Sequence, residues 1–190
     1  MIKRYSNKEL LALSLIELME TKPLDKISIQ MIVDNCNLTR QTFYYHFKDK
    51  FDLVHWVFRK VVDDVAEGSD LDRPWHLVLG DMLRAMKEHR RFYENALCYI
   101  DQNSLEEFMR EYTRTAYTKV LLQRIEERCL SEDLIFSIEF NSYGAVGMMS
   151  AWISGGMKED PYRLAERIAD NMPSRMKSYF RIEPAERTPD

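Results

Sequence analysis

Five polar and aromatic side chains near residue 40 offer the chemistry of base-pair recognition. They follow Thr39 in the order Arg40, Gln41, Thr42, Tyr44 and Tyr45. An arginine presents a fork to guanine, a glutamine bridges adenine, and a threonine touches a thymine methyl group. Tyrosine hydroxyls and lysine ammoniums bind phosphates and set the docking register. One helix that exposed these side chains would therefore be able to read a DNA groove.

Helix-start signals predict the elements that precede these side chains. Ser6 and Glu9 form a capping box before an apolar stripe at helical spacing. The sequence Lys22-Pro23 ends this first helix, because the residue before a proline disfavours helical backbone. Ser28 then caps a short second helix, from Ile29 to about Asn35.

The third predicted helix carries the candidate DNA-binding residues. Thr39 caps it, and it runs from Arg40 to about Phe47. In the turn before it, residues 35–38, Asn37 can adopt the left-handed backbone conformation. Two short helices joined by a four-residue turn fit a helix-turn-helix. The pattern alone also fits a small helical subdomain with ordinary polar surface residues.

The rest of the chain carries dense helix signals and almost no strand signals. Asp49 and Ser131 cap longer helices, and Ser104 with Glu107 forms a second capping box. We predict an all-α chain of about nine helices. The predicted parts are a helix-turn-helix domain with its connecting helix at 1–66, a linker at 67–73, a helical-bundle domain for ligand binding and dimerisation at 74–180, and a flexible tail at 181–190.

Composition and charge exclude several classes of protein. The 190 residues are 45% hydrophobic and 31% charged, which is enough to bury a core and excludes wholesale disorder. The net charge of −4 is asymmetric: residues 1–60 carry ten Lys and Arg against seven Asp and Glu. An anionic partner is therefore expected for the first part only. We find no pattern typical of an enzyme, a metal site or a cofactor, and expect none of the three.

The segment from Ile27 to Leu53 resembles the signature of the TetR/AcrR family of bacterial transcriptional regulators. Its strongest part is Thr42-Phe-Tyr-Tyr-His-Phe-Lys-Asp-Lys50, which matches the family pattern Thr-(Leu/Phe)-Tyr-x-His-Phe-x-x-Lys. The resemblance implies that Tyr44 and Lys50 contact phosphates, and that Gln30 contacts a base from the preceding helix. It also implies that Arg40, Gln41, Thr42 and Tyr45 lie on the recognition helix. One departure is Asn37, where the family usually has glycine.

The C-terminal part resembles this family mainly in the number and order of its helices. A narrower similarity to the subgroup of dihydroxyacetone kinase regulators rests on two segments, Glu88–Leu97 and Trp152–Met157. In the family, the last two long helices of each subunit usually form the dimer interface. The resemblance therefore implies that the predicted helices at 131–155 and 161–171 join two copies, with Tyr143, Gly147, Ser150 and Ala151 in the contact.

A ligand pocket is expected between the helices of residues 74–129 and the inner face of the helix at 131–155. Each Met or aromatic residue taken singly is more often part of a core, although together they are compatible with a cavity. The expected lining is Met82, Met86, Phe92, Tyr93, Phe108, Met109, Tyr112, Tyr117 and Met148.

These observations predict a cytoplasmic, homodimeric DNA-binding regulator, a repressor at a near-palindromic operator that a small ligand releases. The charge-free run from Phe140 to Met157 reaches the threshold length for a membrane span, but a buried helix is the better interpretation. Two alternatives stay open: an adaptor or co-activator that acts through a partner protein, and a small-molecule carrier or enzyme that uses the helical pocket.

Overall fold

The computed structural model describes residues 5–68, 73–99, 104–125 and 129–182. In these ranges the chain forms ten α-helices and no strand, so the predicted all-α fold is confirmed. Single 3-10 turns lie at Leu24–Lys26 and Ser178–Phe180. The helices are α1 (Asn7–Met19), α2 (Ile29–Asn35), α3 (Arg40–His46), α4 (Lys50–Glu67), α5 (Trp75–Glu88), α6 (Arg90–Leu97), α7 (Leu105–Arg124), α8 (Glu132–Ser154), α9 (Pro161–Asp170) and α10 (Ser174–Lys177).

Side-chain caps begin most of these helices. The Ser6 amide donates a 2.8 Å hydrogen bond to the Glu9 carboxylate, and the Glu9 amide donates to the Ser6 hydroxyl, so the predicted box is confirmed. The box expected at Ser104 is only half formed. Its hydroxyl accepts from the Glu107 amide at 3.3 Å, but the Glu107 carboxylate pairs with Arg110 instead.

The turn between α2 and α3 has the backbone that the sequence predicts. Asn37 has φ = 55°, in the left-handed region, and the Leu38 amide donates to the Val33 carbonyl at 2.9 Å. Phe43 on α3 and Ile32 on α2 are fully buried. This packing fixes α3 on α2 and leaves the opposite face of α3 outside the core.

One apolar core runs through both parts of the chain. It includes Leu11 and Phe43 of the first three helices, Phe58 of α4, and Met86 and Ile153 of α5 and α8. The N-terminal helices are therefore packed on the C-terminal ones through a continuous interior. We call residues 5–49 the reading head and α5–α10 the regulatory body, with α4 connecting them.

Helices α5 and α9 pack closely because of a glycine. A Cβ atom at Gly80 would overlap the ring of Tyr162, so only glycine lets the two helices approach at this point. The Tyr162 hydroxyl donates to the Asp81 carboxylate, which also pairs with Arg73. Ring and carboxylate thereby hold α9 against α5.

Some predicted boundaries differ from the structure. Helix α6 ends at Leu97, short of Ile100, and α7 ends at Arg124, short of Cys129, because the Ile125 backbone is extended. Residues 69–72 of the predicted linker and 183–190 of the predicted tail lie outside the described residues. Within the described ranges, no helix is long and apolar enough to span a membrane.

Candidate DNA-binding site and regulatory surfaces

Helix α3 presents the predicted recognition residues on its solvent face. Arg40 and Gln41 are exposed, and the Tyr45 side chain is 84% exposed. Tyr44 is half exposed at 52%, and Thr42 is partly buried. Phe43 and Phe47 anchor the opposite side in the core. The helix is therefore held by its apolar face and offers a polar, aromatic face of the kind that enters a major groove.

The cap of α3 and its first turn are tied together by side chains. The Thr42 amide donates a 3.1 Å hydrogen bond to the Thr39 hydroxyl, and the two threonine hydroxyls share a bond of 2.9 Å. The guanidinium carbon of Arg40 lies 6.0 Å from the centre of the Tyr44 ring. On α2, the exposed Gln30 side chain donates to Asp34 at 2.7 Å. In the free protein these contacts hold Thr39, Arg40 and Thr42 close to α3. Gln30 is held close to α2 in the same way.

Lys50 is engaged inside the protein. Its ammonium donates to the backbone carbonyls of Leu24 at 2.7 Å and Ile27 at 2.9 Å, and lies 3.3 Å from the carbonyl of Asp25. Burial lowers the pKa of Lys50, and the nearby Asp25 charge opposes this shift. These three carbonyls occupy all three donors of the ammonium. We therefore propose that Lys50 holds the segment 24–27 in place, instead of making the phosphate contact that the family resemblance implies.

The expected ligand pocket is mostly filled. Met86, Phe92, Tyr93 and Met109 are fully buried core residues. A cavity of about 40 Å³ lies between α4, α5, α7 and α8, and of the expected residues it is lined by Met82, Tyr112 and Tyr117. That volume is close to the space of one water molecule and far below the roughly 300 Å³ of a typical ligand site. Phe108 does not line this cavity; its ring stacks on that of His55, with the ring centroids 4.2 Å apart.

Tyr112 connects this cavity to α4. Its hydroxyl donates a 2.8 Å hydrogen bond to the Asp63 carboxylate. Burial and this hydrogen bond raise the pKa of Tyr112 to about 12, so the hydroxyl keeps its proton at neutral pH. Any change that moves the Tyr112 ring must therefore either break this hydrogen bond or move Asp63 and α4 with it.

Met148 does not line that cavity. Its side chain is 46% exposed and lies in an open groove of about 400 Å³ between the outer faces of α8 and α9. The groove floor includes Gly144, Leu164 and Ile168. The expectation for Met148 is corrected, since its position on α8 points it away from α5 and α7.

An exposed apolar stripe runs along the outer face of α8. Phe136 is 70% exposed and stacks beside Phe140, and Tyr143 follows one turn later. Gly147 belongs to this stripe, and a Cβ atom built there would meet nothing within 4 Å. Ala151 is exposed as well, but Ser150 is 8% exposed and faces the chain's own core, which corrects its assignment to the dimer contact.

Asn95 was missed by the sequence analysis. It lies on α6 within the segment Glu88–Leu97, and its side chain bonds backbone groups more than 70 residues earlier in the chain. Hydrophobic spacing and capping signals are local, so they carry no information about such a contact. Its place in a segment that resembles a regulator subgroup was the available signal.

Comparisons with known proteins agree with this geometry. Residues 10–57 match the family model of bacterial regulatory proteins, tetR family, and residues 73–174 match the model of a transcriptional regulator C-terminal region. The chain is 26% identical over 103 residues to the HTH-type dhaKLM operon transcriptional activator DhaS of Lactococcus lactis. That match spans 54% of this chain and 54% of the relative, so the chain aligns with about half the length of this curated protein.

Two solved structures show the same fold. That of the dihydroxyacetone kinase operon activator DhaS superposes with a TM-score of 0.66, covering 90% of this chain and 96% of that chain at 21% identity. A tetR-family transcriptional regulator from Streptomyces coelicolor gives a TM-score of 0.55, with 92% and 89% covered at 15% identity. The expected resemblance to the family and to the dihydroxyacetone kinase regulator subgroup is confirmed. The chain belongs to the tetR family of bacterial regulatory proteins, whose members are transcription regulators and not enzymes.

Proposed function

We propose that two copies of this chain bind a near-palindromic operator, each placing α3 in a major groove. The observation that carries the proposal is the exposed row of Arg40, Gln41 and Tyr45 on a helix held by Phe43 and Phe47. Arginine and glutamine can form paired hydrogen bonds to base edges, which is how a helix discriminates sequences. Tyr44 and the amides capped by Thr39 would contact phosphates, and Gln30 would reach the groove edge from α2. Binding to a bacterial operator would take place in the cytoplasm, so we propose that location for the protein.

The second copy is proposed to cover the outer face of α8 and the groove beside α9. Phe136, Phe140 and Tyr143 expose a contiguous apolar surface, of the kind that marks an interaction site. A single helix-turn-helix contacts too little DNA for tight specific binding, so two heads are needed. Two-fold symmetry of the protein then requires two-fold symmetry of the site.

Repression released by a small ligand is the regulatory mode that we propose first. A ligand would have to enlarge the cavity beside Tyr112, because the cavity of about 40 Å³ is too small to hold one. The ligand-binding state is then a minor conformation, and displacement of Tyr112 would act on α4 through Asp63. A bound ligand that weakens DNA binding must itself bind less well to the DNA complex.

A second candidate mode is activation, in which the chain acts through a partner protein. One observation favours it: the Lactococcus lactis relative, 26% identical over 103 residues, is named a transcriptional activator of an operon. The two modes share the DNA-binding head and differ in what the bound dimer does to transcription.

Selection of random DNA fragments on the purified chain tests the proposal. Recovery of a two-fold symmetric sequence is expected, and Arg40→Ala should remove the base preference at one or two positions of each half-site. No enrichment over bulk DNA would overturn DNA reading by this chain. In vitro transcription from a promoter that carries the selected site then separates the modes, since a repressor lowers the transcript yield and an activator raises it.

A further inference from the structure

We propose that Asn95 is a positioning residue that fixes the reading head on the regulatory body and thereby sets the spacing of the two recognition helices in the dimer. The inference rests on the proposed function, because head spacing matters only for a chain that binds DNA as a dimer. It assigns to α6 a link to the head that is separate from the connecting helix α4.

The contact consists of three hydrogen bonds from one side chain. The Leu24 amide donates to the Asn95 side-chain oxygen at 2.8 Å, and the Asn95 amide nitrogen donates to the Lys22 carbonyl at 2.6 Å and to the Met19 carbonyl at 3.3 Å. All three partners are backbone groups at the end of α1 and in the connection that leads to α2. The carboxamide thus uses its nitrogen for two donated bonds and its oxygen for one accepted bond, all to one short segment of the head.

The chemistry of that segment explains why a carboxamide suits it. The last carbonyls of a helix lack partners within the helix, and Pro23 prevents α1 from continuing. Met19 and Lys22 therefore offer acceptors, while the Leu24 amide next to them offers a donor. Asparagine supplies two donors and an acceptor, whereas aspartate supplies only acceptors and alanine supplies neither.

The start of α4 binds the same segment from its other side. The Lys50 ammonium, at the start of α4, donates to the Leu24 carbonyl. Asn95 of the regulatory body therefore binds the amide of Leu24, while Lys50 binds its carbonyl. Beside this pair, the ring of Phe51 stacks on that of Tyr99, which follows α6, with centroids 4.3 Å apart. The end of α6 thus contacts the head through Asn95 and the start of α4 through Tyr99.

The opposite end of α6 meets the end of α8. The Arg90 guanidinium lies against Gly156, which has φ = 85° in the turn after α8, and pairs with Glu94. Eight residues of helix span about 12 Å. Helix α6 is therefore a short rigid bar from the end of the proposed dimer helix to the reading head. Without the Asn95 contacts, each head would be held by α4 and by apolar packing alone, and would be freer to vary its distance from the other head.

The contact itself can be tested without DNA. Hydrogen exchange of the Leu24 amide should become at least about tenfold faster in Asn95→Ala, because a buried amide loses its acceptor. Asn95→Asp keeps an acceptor but aims a charge at two carbonyls, so exchange should also speed up. Alanine favours helix more than asparagine, so α6 itself should not weaken. Arg91→Ala, on the exposed face of α6, is the matched control. Unchanged exchange in both Asn95 variants would overturn the proposal.

The effect on head spacing is tested with operators whose half-sites are moved apart or together by one base pair. Each step changes their separation by about 3.4 Å and their relative rotation by roughly 35°. Wild type and Arg91→Ala should discriminate against these operators by about tenfold or more, and Asn95→Ala should discriminate by roughly twofold. A merely structural loss would lower thermal stability and leave the spacing preference intact, which would overturn the inference. Failure of the wild type to bind any operator would overturn the proposed function instead, and the exchange result would still stand.

Discussion

The guanidinium of Arg40 lies over the ring of Tyr44, with one of its nitrogens 3.5 Å from the tyrosine hydroxyl. The two residues are one helical turn apart on the exposed face of α3. The tyrosine ring therefore holds the arginine close to the helix in the free protein. An arginine already confined in this way loses less conformational freedom when it binds a base than a fully mobile one.

Removal of the base-reading groups should relax sequence discrimination. Arg40→Ala or Gln41→Ala should cost about 1–3 kcal/mol at one or two base pairs of each half-site, because a paired hydrogen bond to a base edge is lost. Binding to an operator substituted at those base pairs should change little. Affinities measured for a set of singly substituted operators check this. If binding to all operators were weakened equally, the two residues would contact the DNA backbone and not the base edges.

Loss of the Tyr44 hydroxyl should have the opposite pattern. Tyr44→Phe keeps the ring that packs edge-on against Phe43 and removes only the hydroxyl. If that hydroxyl contacts a phosphate, affinity should fall by a similar factor for every DNA sequence, since phosphates carry no sequence information. Titrations with the operator and with unrelated DNA of equal length provide the measurement. A loss confined to the operator would contradict the phosphate contact.

Substitution of Lys50 should affect stability more than the salt dependence of DNA binding. Lys50→Ala removes the donor of the bonds to the Leu24 and Ile27 carbonyls, and should lower the free energy of unfolding by about 1–3 kcal/mol. The slope of log affinity against log salt should not change, because no phosphate contact is lost. Chemical denaturation and binding at several salt concentrations measure the two quantities. A slope reduced by about one unit with normal stability would restore the phosphate role.

A large charge on the outer face of α8 should prevent dimerisation without harming the monomer. Gly147 has open space around its Cβ position, so Gly147→Arg fits the single chain and even favours helix. In a dimer the same arginine would be buried without a partner, at a cost of about 3–5 kcal/mol. Sedimentation should show a folded monomer that no longer binds the operator. Leu13→Arg, at an exposed site on α1, should stay dimeric; a dimeric Gly147→Arg would move the interface elsewhere.

Buried tyrosines should make the protein sensitive to alkali. Burial raises the pKa of Tyr117 to about 12, whereas an unfolded chain deprotonates at its ordinary value of 10. The stability contributed by this difference is fully present below pH 10 and is lost as the pH rises towards 12. Tyr117→Phe should make the decline in this range less steep, by at most about 1.4 kcal/mol per pH unit. Denaturant midpoints measured from pH 9 to 11.5 check this; an unchanged slope would mean that the pKa of Tyr117 is the same in the folded protein as in the unfolded chain.

The elements of this fold could be predicted because their signals are local. Ser6, Ser28, Thr39 and Asp49 each accept a backbone amide at the start of the helix that they were expected to cap. The left-handed turn at Asn37 follows from the same kind of information. Such residues reveal their role through the few positions on either side of them.

Tertiary contacts set the features that could not be predicted. Lys50 matches a family motif, yet its partners lie 23 to 26 residues earlier, where the chain returns to the start of α4. Met148 and Met149 are adjacent in sequence, but only the second lines the inner cavity. Whether an apolar helix position faces a cavity, a filled core or an outer groove depends on the angles at which helices pack, and periodicity does not encode those angles.

The continuous interior that joins Leu11 and Phe43 to Met86 and Ile153 limits how such a chain can be rebuilt in evolution. A reading head moved together with α4 onto an unrelated body would separate Phe58 from its aromatic neighbours on α7, Phe108 and Tyr112. New operator specificity is therefore more accessible through substitution of the few exposed residues of α3 than through exchange of whole heads between regulators. Because of the shared core, DNA recognition can change one exposed residue at a time, while the reading head and the regulatory body are inherited as one unit.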